Sequence, residues 1–403
     1  MDANTASNDT TKRLYRFLLY AAIIITAFNL RPAITSVGPV IGLIRDDLDL
    51  SNSGAGIITS LPLLAFAALS PMAPKIGSRY SNERALLIGL ILLAFGIGMR
   101  SISSIPLLYI GTFLVGIGIA FGNVLLPATI KDYFPEKSGL MTGFYSMAMN
   151  AMAAIASGLS IPIAEGIGLG WEVALLVWTV PAFIGIFMWI YLSSKSQQTD
   201  QHHSSGKTSP NNQIWKSPLA WQLSLFMGFQ SFLFYITISW LPEILHDYGV
   251  SMATGGWMLS FMQVIGLPFS FLMPVLAGKF RSQWGLVWVL VFCDVIGYSG
   301  LLFGHSYVVM VASVVLIGAG LGGMFPLALT FLGIRARNGK DASVLSGMAQ
   351  SFGYLLAAIG PVFIGYLYDV SGSWTIPLTT VITAAILVII FGSLAGRDRY
   401  VFD

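Results

Sequence analysis

Apolar residues in this chain come in long blocks parted by short polar breaks. The blocks fall near residues 17–43, 53–74, 84–99, 106–130, 139–161 and 172–192. After a polar stretch they resume near 218–242, 252–277, 285–303, 307–332, 343–366 and 374–395. Most run about 20 to 27 residues, enough for an α-helix to cross a hydrocarbon layer of roughly 30 Å. The pattern predicts an all-α membrane protein with twelve spanning helices, numbered 1 to 12 in chain order. A transmembrane β-barrel would show alternating segments of about ten residues instead. That signal is absent. An even number of spans puts both termini on one side.

The two halves of the pattern repeat each other. Ser51, Gly56, Ser60, Ser70 and Pro74 recur 200 residues later as Ser251, Gly256, Ser260, Ser270 and Pro274. Gly116 and Gly118 recur as Gly318 and Gly320, Gly143 and Ala154 as Gly347 and Ala358, and Trp171 as Trp374. An ordered series of matches across six helices points to duplication, giving two pseudo-symmetric six-helix bundles. Parallel repeats of this kind are a transporter architecture, with solute held near the bilayer midplane between them. The expected division is a tail at 1–16, a first bundle at 17–192, a linker at 193–216, a second bundle at 217–396 and a tail at 397–403.

Charge placement orients the bundle. Of the 21 Lys and Arg residues, all but three lie in segments on the side of the termini. The opposite loops hold only Arg45 and Arg100, and Arg31 lies inside a helix. The positive-inside rule therefore puts both termini in the cytoplasm, in a multi-pass cell-membrane protein. The polar stretch 193–216 is rich in Ser, Gln, Asn and Thr and reads as a flexible linker, with His202 and His203 a solvated pair.

Composition supports the same class. Hydrophobic residues make up 55% and charged residues 10%, against roughly 25% charged in soluble domains. Lys12, Arg13 and Arg16 precede an apolar run that reaches about Leu43, too long for a signal peptide, so it is read as a retained helix. A net charge of +3 with scattered basic residues gives no nucleic-acid face. Cys293 is the single cysteine, which excludes an internal disulfide. The glycines of GIGIAFG and IGAGLGG are not followed by Gly-Lys-Ser/Thr, so they suit helix packing better than phosphate binding. No cofactor or metal is expected.

Four segments carry a family resemblance. They are Asn29-Leu30-Arg31-Pro32-Ala33, residues 122–146 (GNVLLPATIKDYFPEKSGLMTGFYS), residues 228–245 (GFQSFLFYITISWLPEIL) and residues 350–374 (QSFGYLLAAIGPVFIGYLYDVSGSW). With these the chain resembles the major facilitator superfamily, in the branch containing cyanate and 2-nitroimidazole transporters. The resemblance implies helices 1, 4, 7 and 10 around a central cavity, helices 3, 6, 9 and 12 outside, alternating access by rocking of the halves, and a monomer in lipid. One loop departs from the family pattern. Between helices 2 and 3, PKIGSRYSNER keeps Gly77, Arg79 and Arg84 but lacks the usual aspartate. The charge network of the cytoplasmic gate is then weakened or rebuilt.

Arg31 is the most informative residue. A guanidinium near the middle of helix 1 costs roughly 2.5–3.5 kcal/mol on insertion scales, so it must face protein or a wet cavity. Its planar fork suits a carboxylate, a nitro group or a small linear anion. The alternative is a structural arginine bonded to carbonyls at the Pro32 kink. No acidic residue accompanies it at mid-depth in helices 1, 4, 7 or 10. Other polar candidates at that depth are Asn29, Asn123, Tyr145, Asn150, Gln230, Tyr235, Gln263, Gln350 and Tyr354, each either lining a solute site or bonding neighbouring helices. Phe234, Trp240 and Trp257 are candidate walls, although tryptophans at helix ends often anchor at the interface. Asp294 in helix 9 is the one acid well inside a span, a proton-coupling candidate or a structural partner of helix 8 or 10.

The expected function is transport of a small anionic or electron-rich polar solute: cyanate, a nitroimidazole-like heterocycle or a small organic acid. The alternative is multidrug-type efflux of neutral aromatic compounds. A more remote one is an intramembrane enzyme, for which the four histidines offer no metal spacing.

Overall fold

The computed structural model describes residues 3–69, 72, 76–77, 80–134, 138–196, 212–304, 306–337 and 339–401. Arg79, His202, His203 and most of the 193–216 segment lie outside the described residues. Among the described residues there are twelve helices long and apolar enough to span a membrane, and no strand. Helix 1 comprises Ala3–Leu30, Pro32–Thr35 and Val37–Asp47, so it is broken at Arg31 and at Ser36. Helices 2 to 5 are Asn52–Leu69, Asn82–Arg100, Ile105–Tyr133 and Ser138–Ile161, the last prolonged by a π-helical turn, Pro162–Gly166. Helix 6 is split into Gly170–Leu176 and Thr179–Ser196. Helices 7 to 12 are Pro218–Asp247, Met252–Lys279, Trp284–Phe303, Tyr307–Ile334, Gly339–Ser371 and Thr375–Ala395.

The duplication is visible as equivalent contacts. Helix 2 packs on helix 11, and helix 8 on helix 5. A Cβ at Gly56 would lie 2.5 Å from the Pro361 carbonyl oxygen, and one at Gly256 would lie 3.1 Å from that of Ser157. Helix 4 meets helix 3 where a Cβ on Gly118 would press into Leu93, and helix 10 meets helix 9 where one on Gly320 would press into Asp294. Polar pairs repeat too. Trp171 Nε1 donates to Asp47 at 3.1 Å, and Trp374 Nε1 donates to Asp247 at 2.8 Å. At the opposite face Tyr133 donates to Glu83, and Arg335 donates to Gln283.

Between the halves, a series of hydrogen bonds and an ion pair lies between mid-depth and the face away from the termini. Arg45 pairs with Glu243 at 3.3 Å and donates to Asn52 at 2.8 Å. Asp369, at the end of helix 11, accepts from the Asn52 and Ser53 backbone N–H groups and from Asn52 Nδ2, at 2.8–3.1 Å. These are the free donors of the helix 2 N-terminus, where a carboxylate is favoured by the helix dipole. Ser239 Oγ donates to Thr59 Oγ1 at 2.9 Å, and Gln263 Nε2 donates to Ser157 Oγ at 2.8 Å. The protein is latched on that face.

Because backbone meets backbone at Gly56, a larger residue there must pry helices 2 and 11 apart. Gly56→Leu is expected to cost about 1–3 kcal/mol, read as a lower melting temperature in detergent. Gly98→Leu, with nothing within 4 Å of its Cβ position, is expected to leave the melting temperature unchanged.

Candidate functional site

The site begins with two prolines in helix 1. Pro32 and Pro39 have no N–H, so the hydrogen-bond ladder lapses around Arg31 and again at Ser36. Released carbonyls at this depth find no water, and each left bare would cost several kcal/mol. The Arg31 carbonyl accepts from the Ile34 and Thr35 backbone N–H groups at 2.9 Å, while Ser157 Oγ lies 3.2 Å from the Thr35 carbonyl and Ser160 Oγ 2.9 Å from that of Ser36, each hydroxyl shared with a carbonyl of its own helix. Arg100 Nη1 donates to the Ala33 carbonyl at 2.6 Å. Donors from helices 3 and 5 therefore reach the carbonyls of Ala33, Thr35 and Ser36, and the Arg31 side chain is not among them.

Arg31 points the other way. Its guanidinium carbon lies 4.8 Å from the ring centre of Phe234 on helix 7 and 5.8 Å from that of Phe325 on helix 10. Among the described residues it has no acidic partner and no hydrogen-bond acceptor. It lines a cavity of about 220 Å³ between the halves. Asn123, Tyr145, Asn150, Gln230, Tyr235, Gln263, Gln350 and Tyr354 line the same cavity, with no carboxylate among them. Gln230 Nε2 is held by the Met227 carbonyl and Ser231 Oγ, and Gln350 Nε2 by Ser346 Oγ. Lining residues come from helices 1, 2, 4, 5, 7, 8, 10 and 11, a wider set than the four helices expected, and none comes from 3, 6, 9 or 12.

Asn29 is not on the wall. It is 2% exposed, and its Nδ2 donates back to the Ile25 carbonyl at 2.7 Å. Two residues from Arg31 is about 200° around a helix, so the two side chains face opposite ways. Trp240 is buried and donates to the Pro361 carbonyl, and Trp257 is half exposed and packs against Gly158. Neither walls the cavity. In the loop after helix 2, a Cβ on Gly77 would meet Asn82 and Leu125, and Arg84 is exposed at the start of helix 3.

Asp294 is fully buried between helices 9 and 10, with no hydrogen-bond partner for either oxygen among the described side-chain contacts. It stands behind Gly320, whose neighbours Gly318, Leu321 and Gly322 line the cavity. Aromatic and apolar wall residues, notably Phe66 and Phe325, were not singled out by the sequence. Phe66 packs edge-on against Tyr354 across the halves, ring centres 5.3 Å apart. Phe325 had a signal: Gly318, Gly322, Phe325 and Leu329 follow helical spacing, so the glycine stripe continues into the ring that flanks Arg31.

Comparison with known proteins agrees with this architecture. Residues 18–361 match the Major Facilitator Superfamily. The chain is 48% identical over 392 residues to an uncharacterised transporter of Bacillus subtilis (strain 168), covering 97% of this chain and 96% of that protein. It is 39% identical over 387 residues to a 2-nitroimidazole transporter of Escherichia coli (strain K12), covering 95% and 96%. Identity to the cyanate transport protein CynX of the same organism is 26% over 353 residues, covering 87% and 90%. Among solved structures, the nucleoside transporter NupG aligns with a TM-score of 0.76 at 12% identity, over 93% of this chain and 99% of that one. A D-xylose–proton symporter aligns with a TM-score of 0.72 at 16% identity, over 95% and 96%. Alignment with transporters over nearly the whole length, on a shared twelve-span fold, fixes the family: the chain belongs to the major facilitator superfamily.

Proposed function

We propose that the chain carries a small anionic or electron-rich polar solute, such as cyanate, a nitroimidazole-like heterocycle or a small organic acid, with Arg31 reading it. The observation that carries this reading is a guanidinium standing in the cavity between two phenyl rings with no acid beside it. A positive, aromatic-walled cavity attracts flat acceptors and repels organic cations. At about 220 Å³ the cavity is smaller than the roughly 300–1,000 Å³ of pockets for drug-sized ligands, which favours a small solute. Relatives named for 2-nitroimidazole and cyanate transport support the same class. Efflux of neutral aromatic compounds is the second reading, favoured by the rings of Phe66, Phe234 and Phe325 on the wall.

In this reading residues 17–192 and 217–396 are the two rocking units. The Lys and Arg asymmetry places both termini in the cytoplasm of a cell-membrane protein. The latched face is then extracytoplasmic, and the state is inward-facing. The unit is a monomer in lipid, with Phe95, Phe187 and Phe292 of the peripheral helices exposed to acyl chains. Asn123, Tyr145, Asn150, Gln230, Tyr235, Gln350 and Tyr354 orient the solute, and no nucleic acid or cofactor takes part. Gly77, Arg79 and Arg84 belong to the cytoplasmic gate.

Asp294 is assigned to proton coupling within the same reading. Packing does not require an acid there, because Leu93 fills the equivalent place in the first half. Tyr298 and Cys293 are the titratable groups beside it. Helix 12 contains none, and helix 10 has only Tyr307 at its far end. The Tyr298 hydroxyl is bonded to Thr237 of helix 7 at 2.6 Å, which links this pocket to the cavity helices.

Uptake of labelled cyanate and 2-nitroimidazole into proteoliposomes tests the role of Arg31. Arg31→Ala is expected to raise KM about tenfold to a hundredfold, the worth of a charge-assisted hydrogen bond, and Arg31→Lys is expected to fail too, lacking the planar fork. Unchanged uptake of both solutes in Arg31→Ala would overturn the anion reading in favour of neutral aromatic efflux. For Asp294→Asn, solute exchange at equal pH is expected to persist while accumulation driven by a pH gradient is lost. Retained gradient-driven accumulation would remove Asp294 from coupling.

A further inference from the structure

Helix 3 is peripheral, yet its last residue is an arginine with no exposed surface. Arg100 has no ion-pair partner among the described residues. Its Nη1 holds the Ala33 carbonyl at 2.6 Å, and its Nε and Nη2 find no acceptor among the described residues. A buried cation supported by one carbonyl is costly. Neighbouring carbonyls of the break are served by neutral donors: those of Arg31 and Pro32 by backbone N–H groups, and those of Thr35 and Ser36 by the shared hydroxyls of Ser157 and Ser160. Satisfying a carbonyl alone therefore does not account for an arginine at this place.

Its direction does. Ala33 is two residues beyond Arg31, in the single turn Pro32–Thr35 that separates the two breaks in helix 1. Backbone N–H groups of Ile34 and Thr35 bind the Arg31 carbonyl, so the turn and Arg31 move together, and the breaks at Arg31 and Ser36 leave that unit to be held partly by neighbouring helices. On the helix 5 side Ser157 Oγ reaches the Thr35 carbonyl and Thr35 Oγ1 reaches the Ala153 carbonyl, and Arg100 grips the turn from helix 3, which does not line the cavity. Two anchors on different helices fix a rotation that either alone would leave free.

We propose that Arg100 is a positioning residue: from outside the cavity it holds the Pro32–Thr35 turn so that the Arg31 side chain is aimed between Phe234 and Phe325. The proposal rests on Arg31 reading the solute for its functional meaning, and its structural content stands apart from that. A long side chain ending in a planar donor group reaches across from helix 3 where a serine hydroxyl would fall short. The sequence hides this role, because Arg100 at the end of an apolar block looks like a loop residue.

The test uses the full-length protein with Cys293→Ala and Arg31→Cys, labelled in proteoliposomes by an anionic methanethiosulfonate. Labelling rate reports whether position 31 faces the cavity, and melting temperature reports folding separately. Adding Arg100→Met is expected to slow labelling roughly tenfold, as a side chain displaced by about an ångström would. Arg100→Lys, which keeps a donor for Ala33, is expected to stay within about threefold of the parent. If Arg100→Met does not fold, Arg100→Leu, which likewise has no donor, takes its place with the same expected slowing. With Arg31 present, Arg100→Met is further expected to raise KM for cyanate roughly tenfold while leaving maximal uptake within about twofold. A melting temperature that falls while labelling stays at the parent rate would overturn the proposal, as would equal slowing in Arg100→Lys. Failure of the anion reading shows instead as normal cyanate uptake in Arg31→Ala, with the labelling result untouched.

Discussion

A hydrocarbon layer solvates neither a bare carbonyl nor a guanidinium, and helix 1 carries both at mid-depth. Its two prolines free the carbonyls, and its arginine supplies the charge. The structure resolves the conflict by division of labour. Backbone N–H groups of the turn take the Arg31 carbonyl, helix 5 hydroxyls reach those of Thr35 and Ser36, and the Arg100 guanidinium takes that of Ala33, while the Arg31 side chain bonds none of them. The kink and the free cation are one device.

Duplication explains why the rest of the bundle tolerates this asymmetry. Equivalent glycines let helix 2 approach helix 11 and helix 8 approach helix 5, and equivalent Asp–Trp pairs tie helix 1 to helix 6 and helix 7 to helix 12. On that common frame the halves diverged chemically. The first supplies the cation, and the second supplies the rings that flank it. The second also acquired an acid where the first keeps Leu93. Even the matched pairs at the terminus face differ, with Glu83 and Tyr133 in one half and Gln283 and Arg335 in the other.

Spans, repeat and fold were legible in the sequence because they rest on long-range periodicity, which a single chain displays in full. Depth along a helix was legible as well, which is why Arg31, Asn123, Tyr145, Asn150, Gln230, Tyr235, Gln350 and Tyr354 all reach one cavity. Rotation about the helix axis was not. Asn29 has the right depth and the wrong azimuth, turned back onto Ile25. The break at Ser36 follows from Pro39 in hindsight, yet a proline inside a span does not say which neighbour will take the orphaned carbonyl. Arg100 and the serines of helix 5 answer that only in three dimensions. Apolar wall residues such as Phe66 carry no mark that separates them from ordinary core.

The rings around Arg31 belong to the opposite half from the arginine itself, and this has a kinetic consequence. Under the proposed rocking of the halves, the guanidinium would part from Phe234 and Phe325, a loss of about 0.5–1 kcal/mol for each such cation–ring contact. An occupant that bonds the guanidinium travels with it and offsets that loss, whereas an empty carrier bears it alone. On that reading the reorientation barrier would be higher for the vacant protein than for the filled one, and trade of one molecule for another would outpace net flow.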